Sequence, residues 1–105
     1  MHGDLYAHNI LVSPRGKSVL GDFGAASFFD ADDKASAQAF QTLESRAFGC
    51  LLEDLLDRYA PENEAGEGAA IQQLRDLQQR CMGAPDQRPL FGTICQQLTE
   101  ASTLV

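Results

Sequence analysis

The sequence predicts an α+β fold that is mostly helical, with one small β-hairpin followed by three or four helices. Two short apolar segments near the start flank a Pro-Arg-Gly turn, which is typical of a hairpin. Farther along, apolar residues recur at spacings of three and four, the period of an amphipathic helix. A chain of 105 residues makes at most one small domain.

The hairpin is predicted over residues 9–21. Two strands, Asn9–Ser13 and Lys17–Gly21, flank the turn Pro14–Gly16, where proline presets the backbone and glycine relieves steric conflict. The following segment Gly21–Gly24, which reads GDFG, is expected to break regular structure because it has a glycine at each end.

The first helix is predicted from Asp32 or Asp33 to Tyr59, with an alternative that divides it near Leu43–Glu44. Aspartates favour a helix start because they complement the positive end of the helix dipole. An acidic, glycine-rich loop should follow over Ala60–Gly68. The expected core positions of the first helix are Phe40, Leu43, Ala47, Phe48, Leu51, Leu52, Leu55, Leu56 and Tyr59. Those of the later helices are Ile71, Leu74, Leu77, Cys81, Phe91, Ile94, Cys95 and Leu98.

Composition excludes several classes of partner. The net charge of −7 argues against nucleic acid and anionic membranes, since both need a basic face. No apolar run approaches the ~20 residues that span a bilayer, and we expect no signal peptide. Cys50, Cys81 and Cys95 lack a CxxC pairing, so we interpret them as reduced core thiols of a cytoplasmic protein.

Two motifs carry candidate chemistry. Residues 2–9 read HGDLYAHN, and residues 21–24 read GDFG, with the predicted hairpin between them. Two later segments add to the pattern: residues 44–56 contain S-R-A-F-G followed by apolar residues, and residues 81–91 contain P-D-Q-R-P-L-F. Together, in this order, they resemble the C-lobe of the protein kinase superfamily, with its H-R-D-L-x-x-x-N loop and metal-binding DFG turn. The sequence of these motifs is similar to that of bacterial kinase-like domains, including some attached to leucine-rich repeats.

The resemblance implies a role for each motif residue. Asp4 would accept or orient the proton of the attacking hydroxyl, and Asn9 and Asp22 would hold Mg²⁺ through oxygen atoms. Leu11 matches the position under the adenine of ATP. The implied activity is transfer of the γ-phosphoryl group of ATP to a protein hydroxyl, with ATP and Mg²⁺ as cofactors and a protein as substrate.

The resemblance also implies structural roles. His2 and Phe23 match the apolar spine that ties the catalytic loop to the core. Glu44 stands where an aspartate usually anchors the catalytic loop backbone.

The chain departs from the family in several ways. It contains no Gly-rich loop and no strand lysine for the phosphates, so we expect residues 1–105 to be a partial kinase domain whose N-lobe is absent. Gly3 replaces the usual arginine, and this HGD form also occurs in small-molecule kinases of the aminoglycoside and choline type. Such a kinase is one alternative, although the R-P-x-F signature favours a protein kinase. A non-catalytic, pseudokinase-like binding module is the second alternative.

Two further expectations concern surfaces. Arg88 should pair with a carboxylate, Glu44 first and Asp33 second, because a buried guanidinium cannot lose its proton. Without a covering lobe, apolar surface should be exposed around the hairpin and should favour association or partner binding. The residues expected on that surface are Ile10, Leu11, Val19 and Leu20.

Overall fold

The computed structural model describes residues 1–6, 9–24, 26, 28, 32–58 and 68–104. Within these ranges the order of elements is a β-hairpin, two α-helices, a short 3₁₀ helix and a final α-helix. The predicted class, α+β and mostly helical, is therefore confirmed. The predicted loop Ala60–Gly68 lies outside the described residues, except for Gly68, which begins a helix.

The hairpin consists of β1 (Ile10–Val12) and β2 (Ser18–Leu20), which pair antiparallel with Leu11 opposite Val19. Local chemistry closes the turn: Gly16 adopts a φ of 83°, and the backbone N–H of Ser13 donates to the carbonyl of Lys17 at 2.8 Å. A positive φ is a conformation that glycine adopts without steric cost. The predicted hairpin and its turn are confirmed.

The first helix, α1, spans Lys34–Asp57 without interruption, so the predicted division near Leu43–Glu44 is wrong. Asp33 is the N-cap: its carboxylate accepts from the backbone N–H of Ser36 at 3.2 Å and from the Ser36 hydroxyl at 2.9 Å. Such a cap satisfies one of the free N–H groups of the first turn, which explains why the helix begins here. The predicted helix end at Tyr59 lies outside the described residues.

The later helices are α2 (Gly68–Cys81) and α3 (Phe91–Ser102), with a 3₁₀ helix over Pro85–Gln87 between them. Gln41 of α1 accepts from the backbone N–H of Phe91 at 3.2 Å and so satisfies a free N–H at the start of α3. The fully apolar core lies where α1, α2 and α3 meet, and it consists of Leu52, Leu56, Leu77, Cys81 and Ile94.

Part of the predicted core is wrong. Leu43 and Leu55 are more than half exposed, at 59% and 53%, whereas Glu44 is buried. The buried positions Ala37, Glu44 and Leu51 are seven residues apart, and Leu43, next to Glu44, points about 100° away from their face. Leu55 is exposed although it follows Leu51 by four residues and shares that face. The spacing of three and four placed Leu43 on the core face, but the structure buries its neighbour Glu44 there instead.

The expectation that all three cysteines are core thiols is wrong for two of them. Cys81 is buried in the core as predicted, whereas Cys50 and Cys95 are exposed. All three are free thiols. No helix among the described residues is long and apolar enough to cross a membrane.

Candidate active site

Asn9 organises the loop that precedes the hairpin. Its side-chain amide donates to the carbonyl of Asp4 at 2.7 Å and to the Asp4 carboxylate at 3.3 Å. Its backbone N–H donates to the carbonyl of Tyr6 at 3.0 Å. Asn9 is buried, whereas Asp4 is exposed. The buried amide of Asn9 thus restrains the exposed carboxylate of Asp4, which remains open to solvent.

His2 joins the same loop to the GDFG segment. Its Nε2 lies 2.8 Å from the carbonyl of Gly21, and its Nδ1 lies 3.2 Å from the backbone N of Asp4. A carbonyl can only accept and an N–H can only donate, so these partners assign the proton to Nε2 and the lone pair to Nδ1. The ring also meets Phe23 edge to face, with centroids 5.2 Å apart. One buried ring therefore contacts both motifs.

A second link between the two motifs runs through the backbone. The N–H of Gly21 donates to the carbonyl of Asn9 at 2.7 Å and closes the open end of the hairpin. Through this bond and through His2, the residues on either side of the hairpin hold a fixed relation to one another. The tertiary structure thus brings His2 and Asn9 into contact with Gly21 and Phe23.

Asp22 has a φ of 54°, the left-handed region that residues other than glycine rarely adopt. Aspartate tolerates this region better than most residues, and such conformations concentrate at functional sites. Its Oδ1 accepts weakly from the backbone N–H of Gly24 at 3.4 Å, and the side chain is exposed. The strained backbone gives Asp22 a fixed direction and leaves its carboxylate available to a ligand.

Gly3 adopts a backbone conformation that glycine favours and links the loop to α1. Its φ is 83°, so the backbone here takes a conformation that favours glycine. Its N–H donates to Oε2 of Glu44 at 3.1 Å, a contact between residues 41 positions apart. The expectation that Glu44 anchors this loop agrees with that bond. Oε1 of Glu44 is buried and has no hydrogen-bond partner among the described residues.

The expected metal ligands supply suitable oxygen atoms, a carboxylate at Asp22 and an amide carbonyl at Asn9. Mg²⁺ is usually bound through one or two carboxylates, water and substrate phosphates, so this donor set fits the ion. In the described part of the chain, no group of three His, Cys, Asp or Glu side chains could hold a metal ion by itself. A site here would therefore need oxygen atoms from a bound ligand.

Leu11 projects from the hairpin and is 69% exposed. Val12, Val19 and Phe23 are also more than half exposed. Beside them lies an open apolar depression of about 440 Å³. Its lining residues are Met1, His2, Leu20, Phe23, Ala26 and Phe28. This part of the molecule offers apolar surface next to the polar groups of Asp4, Asn9 and Asp22.

The predicted pairing of Arg88 is wrong. The guanidinium donates to two backbone carbonyls, from Nε to Gly83 at 2.9 Å and from Nη1 to Thr42 at 3.3 Å. It makes no ion pair with Glu44 or Asp33, although the structure describes all three residues. Since Arg88 is only half-buried, carbonyl oxygens and solvent together satisfy the charge, and a carboxylate is not required.

Sequence reasoning missed Gln41 as a structural residue because a glutamine in the middle of a helix gives no local signal for a partner 50 positions away. It also missed the positive φ of Gly3. A glycine within an otherwise polar motif could have indicated that conformation. No protein-family model matches the chain, and no curated protein matches it.

Proposed function

We propose that this chain is the C-terminal-lobe part of an ATP- and Mg²⁺-dependent protein kinase. The observation that carries the proposal is the position of His2, whose two ring nitrogens contact Asp4 and Gly21, one in each motif. A pair of unrelated turns has no need of a shared buried ring. A ring that holds the two turns in a fixed relation suits a phosphotransfer site, because catalysis depends on holding the acceptor and the metal-bound phosphates in register.

In this proposal Asp4 orients the acceptor hydroxyl and accepts its proton. Its carboxylate is exposed and accepts a hydrogen bond from the side-chain amide of Asn9 at 3.3 Å. That bond favours one rotamer of Asp4 and so fixes the direction of its carboxylate. The γ-phosphoryl group would pass to the hydroxyl oxygen as the proton moves to Asp4.

Asp22 and Asn9 would hold Mg²⁺, which neutralises the charge on the phosphates of ATP when it is bound. The left-handed backbone at Asp22 directs its carboxylate, and burial orients Asn9. Leu11 would contact the adenine, since it offers an exposed apolar side chain close to the metal ligands. The sequence contains no Gly-rich loop or strand lysine to hold the phosphates, so we expect weak binding by these 105 residues alone.

A titration of the ¹⁵N-labelled chain with Mg²⁺–ATP, followed by NMR, tests this function. We expect a dissociation constant in the millimolar range, about −4 kcal/mol, with shifts at Leu11 and Gly21–Gly24. Asp22→Asn should abolish the response, whereas Asp86→Asn, which changes an exposed carboxylate in the 3₁₀ helix, should leave it unchanged. Shifts that persist in Asp22→Asn would show that nucleotide binds elsewhere and would reject the proposed site.

Phosphoryl transfer by the 105 residues should stay at background level with generic protein acceptors. Positioning contributes roughly 7–11 kcal/mol of barrier reduction in favourable cases, and most of it is lost without groups that hold the phosphates. Radiolabelled ATP measures this directly. Transfer that requires Asp4, tested with Asp4→Asn, would contradict the expected inactivity.

A small-molecule kinase is the second candidate, and the conformation of Gly3 favours it. The φ of 83° shows that the HGD form is built into this loop. The HGD form also occurs in kinases that phosphorylate aminoglycosides and choline. Addition of such hydroxyl compounds, or of a peptide, to the Mg²⁺–ATP titration distinguishes the candidates. For a small-molecule kinase, the hydroxyl compound should shift the amides near Asp4 and the peptide should not.

A further inference from the structure

The hydrogen bonds of the hairpin show which backbone groups its two strands leave free. The backbone N–H of Ser13 donates to the carbonyl of Lys17 at 2.8 Å, so these opposite residues form a hydrogen-bonded pair. Such pairs alternate with non-bonded ones along an antiparallel ladder, and the pair of Leu11 and Val19 is therefore bonded as well. The residues that direct their N–H and C=O groups outward are Ile10 and Val12 on β1 and Ser18 and Leu20 on β2.

The outer edge of β2 is open. In the described part of the chain, the backbone groups of Ser18 and Leu20 have no hydrogen-bond partner. Ser18 and Val19 are exposed, and the apolar depression of about 440 Å³ borders Leu20. An unpaired strand edge is a template on which a further strand can add, and two strands alone make a marginal sheet. The edge of β2 thus has both the free groups and the space for another strand.

Charges of opposite sign lie at the two ends of β2. Arg15 and Lys17 precede the strand and Asp22 follows it, and all three residues are exposed. The whole chain has 8 Lys and Arg residues against 15 Asp and Glu, so a basic turn stands out in it. When β2 runs antiparallel to β2 of a second copy, each basic end lies beside the acidic end of the other. The edge is therefore complementary to itself, as a two-fold symmetric contact requires.

We propose that the edge of β2 binds a second copy of this chain, with the two β2 strands antiparallel and Val19 opposite Val19 on the two-fold axis. Ser18 of each copy then exchanges N–H···O=C bonds in both directions with Leu20 of the other. An unrelated peptide would pair with the same backbone groups but would lack the matching charges, so a second copy is the favoured occupant. The proposal rests on the hairpin alone and is independent of the phosphotransferase function.

This register has consequences for side chains on both sides of the axis. Lys17 of each copy lies opposite Gly21 of the other, one position from its Asp22. The two hairpins become one larger sheet, and one face of that sheet carries Leu11 and Val19 of both copies in a single row. Opposite apolar residues on neighbouring strands stabilise a sheet, so the row adds to the backbone bonds and the charges.

Hydrogen exchange of the unmodified, ¹⁵N-labelled chain at low and high protein concentration tests the pairing without any variant. We expect the amides of Ser18 and Leu20 to exchange at least about tenfold more slowly at high concentration, since a new hydrogen bond protects them. The amide of Val12, which faces outward on β1, is the internal control and should exchange equally fast at both concentrations. Rates at Ser18 and Leu20 that do not depend on concentration, or equal slowing at Val12, would overturn the proposal.

A cross-linking experiment tests the register. Cys50→Ser and Cys95→Ser remove the two exposed thiols, and Val19→Cys then places one thiol on the two-fold axis. Opposite residues of a non-hydrogen-bonded pair have Cα atoms about 4.5 Å apart, a separation that a disulfide spans. Air oxidation should therefore give a covalent dimer, and a chain that stays monomeric would contradict the register.

Leu11→Cys in the same background is the matched control. Leu11 lies opposite Val19 within the hairpin, and both side chains are more than half exposed. In the proposed dimer Leu11 occupies an outer strand, three strand spacings or about 14 Å from its counterpart, so its variant should stay monomeric. Equal yields of dimer from the two variants would show unspecific collision of thiols, and a larger yield from Leu11→Cys would assign the contact to β1. Either result would overturn the proposal.

Discussion

Glu44, in the middle of α1, accepts a hydrogen bond from the backbone N–H of Gly3 at 3.1 Å. This bond connects the longest helix to the loop that carries Asp4. Glu44 is buried and Gly3 is exposed, so the bond is partly shielded from water, and loss of the carboxylate would break this link between α1 and the loop.

Glu44→Ala should therefore destabilise the chain by about 1.5–3 kcal/mol, the range for hydrogen bonds to charged groups. Denaturant unfolding measures the loss, and hydrogen exchange at the amide of Gly3 should accelerate. Glu53→Ala, in the same helix, is the control: it removes only an exposed hydrogen bond from Gln78 and should change stability by less than about 0.5 kcal/mol. Unchanged exchange at Gly3 in Glu44→Ala would contradict the anchoring role.

Gly49→Ala should destabilise the chain by about 1–3 kcal/mol, because the new methyl group would lie 2.8 Å from Cβ of Cys81 in a packed core. Gly92→Ala is the matched control, since a Cβ there meets nothing within 4 Å. In α3 that change should stabilise by roughly 0.5–1 kcal/mol through helix propensity. Thermal unfolding of the two variants should thus shift in opposite directions, and equal shifts would refute the packing at Gly49.

Leu77→Ala should cost about 2–5 kcal/mol, because the side chain is only 1% exposed and its loss leaves a cavity. Leu43→Ala should cost less than about 1 kcal/mol, since Leu43 is 59% exposed. The sequence placed both leucines in the core, so this pair separates the sequence-based prediction from the structure. A cost for Leu43→Ala as large as that for Leu77→Ala would show that Leu43 is buried after all.

Stability should fall at alkaline pH through Cys81. Burial raises the pKa of this thiol above its ordinary value of 9.0, although the Ser45 hydroxyl and Arg80 oppose the shift. Below that value both states hold the proton, and stability is fully present. As the pH rises from there toward the folded-state pKa, the unfolded chain loses a proton that the folded chain retains, and stability is lost.

Denaturant unfolding between neutral pH and about pH 10 measures this loss. Cys81→Ala should be less stable throughout but should lack this part of the alkaline decline, whereas Cys95→Ser should keep it. Parallel curves for the unmodified chain and Cys81→Ala would contradict the assignment.

The exposed apolar surface of the hairpin should cause association at high concentration. Leu11 and Val19 are opposite one another in the register and are 69% and 54% exposed. Replacing both with threonine keeps a strand-forming side chain but makes the surface more polar. Sedimentation should show oligomers for the unmodified chain and a shift toward monomer for the double variant. A clean monomer for the unmodified chain would refute the prediction.

The sequence by itself determined the features that depend on neighbouring residues. Pro14 and Gly16 set the hairpin turn, and Asp33 caps α1, because a turn or a cap is formed by groups within a few positions of each other. The two candidate motifs could be identified for the same reason. Each is a short run of side chains, and the hairpin between them is itself a local structure.

Only the tertiary structure decided which polar groups are buried and what they contact. Glu44 lies on the inner face of α1, where Gly3, 41 residues earlier, donates to one of its two carboxylate oxygens. Arg88 contacts carbonyls instead of a carboxylate, and Cys50 meets Met82, because the segment that follows α2 packs against α1. Such contacts depend on how the elements pack. Hydrophobic periodicity predicts which face of a helix is buried, but not which element packs against that face.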